Sequence, residues 1–340
     1  MQVQQITLDG QQHYDDAGGG FPLIYTPLAA STATTIDENN SARNKSGNVA
    51  SAKRWVSDNR EPLALALAQH GALLFRGFGI ETDFEFDDFI GAFELPNFTY
   101  AESLSNAVRR NRTERVFTAN EAPPSVSIFL HHEMAQTPVY PSKLFFFCEH
   151  AQMTGGATPL CRSDVLLAEL TKVRPGFVAA CEQLGVRYSN TMPLEDDLAS
   201  GQGRSWRSTL SVADKAAAEE KLTGLGYSWQ WQDDQSLRVT TPSLPAVRTL
   251  DDGRKVFFNQ LIAAFRGWKD ARNSAEKSIC FGDSSAIDAA DMAVAIALAD
   301  ELSYDTPWQS GDVALVDNFL VMHGRRPFEG ERRILASLVG

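Results

Sequence analysis

Two short segments hold the residues of this 340-residue chain best suited to chemistry. Phe129-Leu-His-His-Glu-Met134 supplies His131 and Glu133, and Asp317-Asn-Phe-Leu-Val-Met-His323 supplies His323, 192 positions after the first histidine. Two imidazoles and one carboxylate make the ligand set that grips one face of a non-haem Fe(II) and leaves the remaining positions open. A 2-oxo acid could chelate there through its keto and first carboxylate oxygens, with O2 taking what is left. Decarboxylation of the oxo acid would then drive oxidation of a bound substrate. Nine residues beyond His323, in Gly330-Glu-Arg-Arg-Ile334, stands Arg332, which could hold the acid's far carboxylate.

Spacing decides which residues can act together. On a strand, positions i and i+2 face one side, so His131 and Glu133 point one way and His132 the other. Were His132 the ligand, its i+2 partner would be Met134, a poor ligand for a hard ferrous ion. A His-His-Glu cluster alone is usually a polar surface strand, and a lone histidine after an apolar run is usually a satisfied core residue. The flanks alter that balance. Gly311-Asp-Val-Ala-Leu-Val-Asp-Asn318 reads as a turn feeding a buried strand that delivers Asp317, Asn318 and then His323. Burying such groups is costly unless they have partners, which the surroundings of a metal site supply.

Gly155-Gly-Ala-Thr-Pro159 follows the first histidine segment. Its glycines allow a tight turn, and the Thr158 hydroxyl could donate to the oxo acid's distal carboxylate beside the bidentate fork of Arg332. Along the final strand Arg332, Ile334 and Ala336 alternate with Arg333, Leu335 and Ser337, so only one of the paired arginines can face a pocket.

These residues need a scaffold. Residues 1–50 read as an irregular N-terminal segment, with a Ser/Thr/Asn-rich stretch from Ser31 to Ser46, and residues 51–340 as a single domain. A helical pattern runs from Ser51 to His70 and stops at Gly71; Ala72–Gly77 reads as a strand, and Thr82 caps a second helix. Further strands are expected at Ser127–Leu130, Leu144–Cys148, Val186–Tyr188, Arg238–Thr241, Lys255–Asn259, Val313–Asp317 and Ile334–Val339. Further helices are expected at Asp164–Val173, Pro175–Gln183, Val212–Gly224 and Ile287–Leu302. The pattern is mainly β with helices: a barrel core decorated by helices, with a long insertion at about residues 165–300.

Bulk properties remove several function classes. A net charge of −12 argues against nucleic acid or an anionic membrane as the main partner. The basic clusters at Arg109, Arg110 and Arg112, at Arg325 and Arg326, and at Arg332 and Arg333 are short and suit local contacts to anions. Four scattered cysteines, 148, 161, 181 and 280, fit neither a disulfide scaffold nor a structural zinc site and agree with a reducing cytoplasm. No stretch approaches a membrane span or a secretion signal.

At this point the chain resembles the Fe(II)/2-oxoglutarate dioxygenases of the taurine dioxygenase and clavaminate synthase type, nearest to the subgroup containing the syringomycin-pathway aspartyl hydroxylase. The likeness runs collinearly through Ala72-Leu-Leu-Phe-Arg-Gly-Phe-Gly79, Phe117-Thr-Ala-Asn-Glu-Ala-Pro-Pro124, His131-His-Glu-Met134, Phe145-Phe-Phe-Cys148 and Gly155-Gly-Ala-Thr-Pro-Leu160. It continues at Gly203-Arg-Ser-Trp206, Phe257-Phe-Asn-Gln260, Phe281-Gly-Asp283 and Trp308-Gln-Ser-Gly-Asp312, and closes with Asp317-Asn318, His323-Gly-Arg-Arg-Pro-Phe-Glu-Gly330 and Arg332-Arg-Ile334. The resemblance implies a double-stranded β-helix (jelly-roll) core. It also implies iron on His131, Glu133 and His323, 2-oxoglutarate on Thr158 and Arg332, and Asn120, Glu121, Arg204 and Asn259 near the substrate or supporting it. Two departures stand out: the first ligand motif carries Glu where many relatives carry Asp, and position 336 is Ala where several have a second arginine. The expected activity is hydroxylation, desaturation or a related oxidation of an amino acid or amino-acid-derived small molecule, free or tethered to a carrier protein, in a biosynthetic pathway. A triad-metal hydrolase, which gives the Thr158–Arg332 pair no clear role, and an inactive binding module, against which the intact triad stands, are the alternatives.

Overall fold

Alternation along one long strand sets the architecture. In Lys143–Gly155, Leu144, Phe146 and Cys148 enter one apolar cluster, while Phe145 and Phe147 enter another. Its neighbours repeat the pattern. Ala314 and Val316 join the first cluster and Val313 and Leu315 the second; Ile334, Ala336 and Leu338 join the first and Leu335 and Val339 the second. A sheet apolar on both faces must be covered on both.

The computed structural model describes residues 1–14, 19–28, 41–99, 103–105, 107, 109–120, 122–197, 203–268, 272–274 and 278–340, the side chains of 41–48 and 152 excepted. Among them, an eight-stranded sheet runs in the order Val3–Ile6, Leu23–Pro27, Ala72–Phe75, Val313–Asp317, Lys143–Gly155, Phe328–Val339, Asn97–Phe98, with Phe117–Thr118 also paired to Phe328–Val339. It faces a four-stranded sheet in the order Tyr304–Thr306, Thr158–Arg162, Val321–Arg325, Ile128–His131. The chain passes back and forth between the two sheets, from Ile128–His131 to Lys143–Gly155 to Thr158–Arg162, and again from Val313–Asp317 to Val321–Arg325 to Phe328–Val339. This is the double-stranded β-helix, or jelly roll.

Helices close the outer faces. Arg60–His70 and Asp83–Gly91 lay Leu63, Leu67, Phe86 and Phe89 on the large sheet. The Asp83 helix begins with a reciprocal cap between Thr82 and Glu85, as its sequence predicts. The small sheet turns Leu130, Cys161 and Met322 outward against Leu166, Leu170, Leu261 and Met292 of the helices that follow Arg162. Between Arg162 and Tyr304 the chain also builds a third sheet, ordered Ser228–Trp231, Leu237–Thr240, Val186–Met192, Ile279–Phe281.

The structure corrects the reading of the N-terminus. Residues 1–50 are not wholly irregular: Leu23–Pro27 runs parallel to Ala72–Phe75, and Val3–Ile6 pairs onto its other edge. Of the Ser31–Ser46 stretch, 31–40 lie outside the described residues, and the helix Ser41–Asp58 begins at Ser41. The expected helix Ser51–His70 is two, parted at Asn59, and ends at Gly71 with φ 83°. The strand expected at Lys255–Asn259 is only Lys255–Val256.

Candidate metal centre and active site

Strand pairing brings the two distant histidines together. Ile128–His131 runs antiparallel to Val321–Arg325 with His131 directly opposite His323, and the ring centroids are 4.4 Å apart. Because Leu130 and Met322 point outward, their neighbours His131 and His323 point into the barrel. Glu133 reaches the same spot by another route. The strand ends at His131, and Glu133 lies on the following turn rather than on the strand, which corrects the i, i+2 argument.

Asn318 holds that turn. Its Oδ1 accepts from the Glu133 N–H at 2.7 Å, and its Nδ2 donates to the carbonyls of Glu133 at 3.0 Å and Pro141 at 2.8 Å. Glu133 Oε2 then sits 3.5 Å from His323 Nε2 and 3.9 Å from His131 Nε2. His132 faces away: it is fully buried, its Nδ1 donates to the Asn318 carbonyl, and its ring packs 4.8 Å from Phe258.

The donor set fits a divalent cation. One atom each from His131, Glu133 and His323 lie within 4.8 Å of one another, a spread that one ion can span. His131 Nδ1 lies 2.7 Å from the Phe129 carbonyl, which can only accept, so that nitrogen carries the proton and Nε2 offers its lone pair inward. Burial, and then repulsion from His323, lowers the His131 pKa to about 4, which keeps the ring neutral near pH 7. Burial opposes ionisation of Glu133, but Arg109 and the two imidazoles outweigh it and hold the carboxyl well below its usual range. Arg109 Nη2 donates to Glu133 Oε1 at 2.9 Å, on the oxygen remote from the histidines.

These shifts have a consequence for the metal-free protein. His131 and His132 titrate at about 4 and about 3 when folded, against 6.5 for the free side chain, both primarily through burial. The unfolded chain therefore takes up protons that the folded one refuses. Stability should fall as pH drops below 6.5, by up to about 1.4 kcal/mol per pH unit for each ring. Denaturant midpoints measured down to about pH 5, where most carboxylates stay ionised, check this; a flat profile would contradict it.

Two glycines shape the turn that seats Arg332 beside Thr158. Gly155 has φ 77° and Gly156 φ 71°; a Cβ on the first would stand 2.5 Å from the Pro327 carbonyl oxygen, and on the second 3.0 Å from Arg332 Cδ. This turn lets Arg332 Nε donate to the Gly156 carbonyl at 2.8 Å and Nη2 to Thr158 Oγ1 at 3.3 Å. Trp308 Nε1 also donates to Thr158 Oγ1, at 3.0 Å. With its lone pairs so engaged, the Thr158 hydroxyl proton is left to point elsewhere. Burial brings the Arg332 pKa down to about 10, still charged near neutral pH. Arg333 points outward to Glu149 and Glu331.

His131, Glu133, His323, Thr158 and Arg332 all line one cavity of about 370 Å³. Asn120 lines it as well, whereas Glu121 lies outside the described residues. Arg204 and Asn259 are buried elsewhere. Arg204 donates to the carbonyls of Ser103 and Ser105, and Asn259 donates to Ala246 and accepts from the Leu261 N–H. Arg325, read from sequence only as part of a basic cluster, lines the cavity and holds its rim by donating to the carbonyls of Asn120, Ala122, Pro123 and Val126. Arg109 and Trp308 carry no spacing signal that marks them as site residues. Only the fold brings them to Glu133 and Thr158.

Residues 36–338 match the model of the taurine catabolism dioxygenase TauD, TfdA family. The chain belongs to this family. As a TauD-family protein it is an Fe(II)/2-oxoglutarate-dependent dioxygenase, using Fe(II), 2-oxoglutarate and O2. It is 38% identical over 284 residues to a clavaminate synthase-like protein of Arabidopsis thaliana, covering 83% of this chain and 86% of that one. It is 28% identical over 298 residues to the dapdiamide synthesis protein DdaC of Enterobacter agglomerans, covering 83% and 85%. Among solved structures, AAD-2 in complex with Mn(II) and N-oxalylglycine superposes with a TM-score of 0.50 at 14% identity, covering 100% of this chain and 98% of the other. The PvcB protein of Pseudomonas aeruginosa does so at 0.50 and 13%, covering 94% and 86%. These distant structures share the TauD-family jelly roll. No helix among the described residues is long and apolar enough to cross a membrane.

Proposed function

We propose that His131, Glu133 and His323 hold the Fe(II) of this dioxygenase, and that Thr158 and Arg332 hold the far carboxylate of 2-oxoglutarate. The carrying observation is that a three-ligand cluster and a buried hydroxyl–guanidinium pair line the same cavity. The bound iron supplies activation of O2, coupled to breakdown of 2-oxoglutarate into succinate and CO2. The protein's own residues do the positioning. His131 and His323 offer ring nitrogens from paired strands, Asn318 fixes the Glu133 backbone, and Arg109 holds the carboxylate's remote oxygen. Phe146, Ile334 and Ala336 give the cavity an apolar wall that restricts water beside the centre.

The substrate is a small molecule, and we read it as an amino acid or amino-acid-derived group that is hydroxylated, desaturated or otherwise oxidised in a biosynthetic pathway. A cavity of about 370 Å³ suits a metabolite, and the relative named for dapdiamide synthesis supports a place in secondary metabolism. Asn120, with Glu121 next to it in the chain, is assigned to the substrate side, and Arg204 and Asn259 to support. We assign the protein to the cytoplasm.

Anaerobic titration with Fe(II) and 2-oxoglutarate tests the site. The weak visible charge-transfer band of the chelate is expected, and its absence from folded, iron-loaded protein would overturn the assignment. Arg332→Ala should raise the KM for 2-oxoglutarate on the order of 100-fold, the cost of removing one partner of a buried charged contact, with a smaller change in kcat. An unchanged KM would move the anchor elsewhere.

A further inference from the structure

Among the described residues lining the cavity, Arg109, Gln136, His323 and Arg325 each keep a buried polar atom without a hydrogen-bond partner, and Arg109 and Gln136 are the pair of interest. Three guanidiniums line it: Arg109, Arg325 and Arg332. Arg325 also leaves its Nε unpartnered but spends both Nη atoms on backbone carbonyls, and Arg332 is engaged by Gly156 and Thr158. Arg109 makes no such backbone contacts among the described residues. Its side chain is only 8% exposed, Nη2 rests on Glu133, the guanidinium lies 5.2 Å from the Phe117 ring centroid, and Nε has no hydrogen-bond partner among the described residues. Gln136 is the second group. It is 7% exposed, lines the same cavity three residues beyond Glu133, and its Oε1 has no partner among the described residues. Leaving a donor and an acceptor buried and unpaired is costly, so native proteins rarely do it without a reason.

The two needs are complementary. Arg109 Nε lacks an acceptor and Gln136 Oε1 lacks a donor among the described residues. Arg109 also carries a positive charge that Glu133 offsets less once that carboxylate is shared with a metal ion. Ala336 opens space on another wall without bringing charge. We propose that Arg109 and Gln136 form the subsite for the substrate's headgroup, with Arg109 taking a free carboxylate and Gln136 Oε1 accepting from an adjacent amino or amide N–H. This deepens the function proposed above and rests on it: the substrate is a free amino acid, or a compound with that headgroup intact. A carrier-bound aminoacyl thioester has lost the α-carboxylate and is rejected unless its side chain supplies another. Arg109 thus links substrate to centre, one face of its fork on the ligand carboxylate and the rest toward the substrate.

The test uses iron-loaded enzyme with 2-oxoglutarate and the common L-amino acids, each offered as free acid and as α-carboxamide, with succinate release as readout. Wild type is expected to prefer the acid over the amide of whichever member it accepts, by about tenfold or more in KM. Arg109→Met should raise the KM for the acid on the order of 100-fold, well beyond any change in that for the amide, so that the acid preference is lost. Arg109→Lys keeps a charge for Glu133 without the planar fork and serves if the Met variant does not fold; its acid preference should shrink. Gln136→Leu should raise KM about tenfold with kcat held and the acid preference intact. A wild type with no acid preferred over its amide, or a preference that survives in both Arg109 variants, overturns the headgroup subsite. A missing band in wild type would instead overturn the iron and 2-oxoglutarate reading beneath it.

Discussion

His323→Ala is expected to leave a folded protein whose 2-oxoglutarate turnover has fallen by more than about 100-fold, beyond what losing an outer partner of a metal site costs. The fold should survive because the imidazole strands little when removed: its Nδ1 has no partner among the described residues, and Glu133 keeps Arg109. The cavity left behind opens onto existing cavity space rather than into close-packed core. Succinate formation and thermal unfolding, measured side by side, separate loss of the centre from loss of structure. His131→Ala should behave alike, and near-normal turnover in both would remove these residues from the metal assignment.

Asn318→Leu is the second large effect, and it should damage stability and metal binding together. The side chain is fully buried and serves three backbone groups, the N–H and C=O of Glu133 and the C=O of Pro141. A leucine of similar size leaves all three unpaired, at about 1–3 kcal/mol each. That is a large part of the 5–15 kcal/mol, roughly, by which domains are stable. Denaturant midpoints report the first loss and Mn(II) or Fe(II) affinity the second. If stability falls while metal affinity holds, Asn318 supports the turn without positioning Glu133.

Much of this centre was legible because its signals are local. His131 and Glu133 are two positions apart, the strand that begins after a Gly-Asp turn delivers Asp317 just ahead of the strand that carries His323, and Gly155-Gly156 announces the turn that precedes Thr158. What was not legible depends on distance. Arg109 stands in Arg109-Arg110-Asn111-Arg112, where nothing in the spacing selects one arginine for Glu133; tertiary packing makes that choice. Gln136 looks like any polar residue of a turn. The strand Val3–Ile6, sequence VQQI, is largely polar because it lies at a sheet edge, so its pattern does not separate it from loop. Leu23–Pro27 joins a strand about fifty residues away in parallel, a pairing that no short-range turn announces. The choice of His131 over His132 rested on a strand that ends two residues too early to carry Glu133, and Asn318 completes the geometry.

The direct opposition of His131 and His323 makes ion capture a checksum on how the chain was threaded. Side chains alternate faces, so a slip of one residue between these two strands would swing one imidazole outward and bring in Leu130 or Met322 instead. A misaligned barrel would keep only two of the three candidate ligands on the cavity side. During refolding, resistance of bound metal to a chelator would therefore time the moment at which segments almost two hundred residues apart lock into alignment.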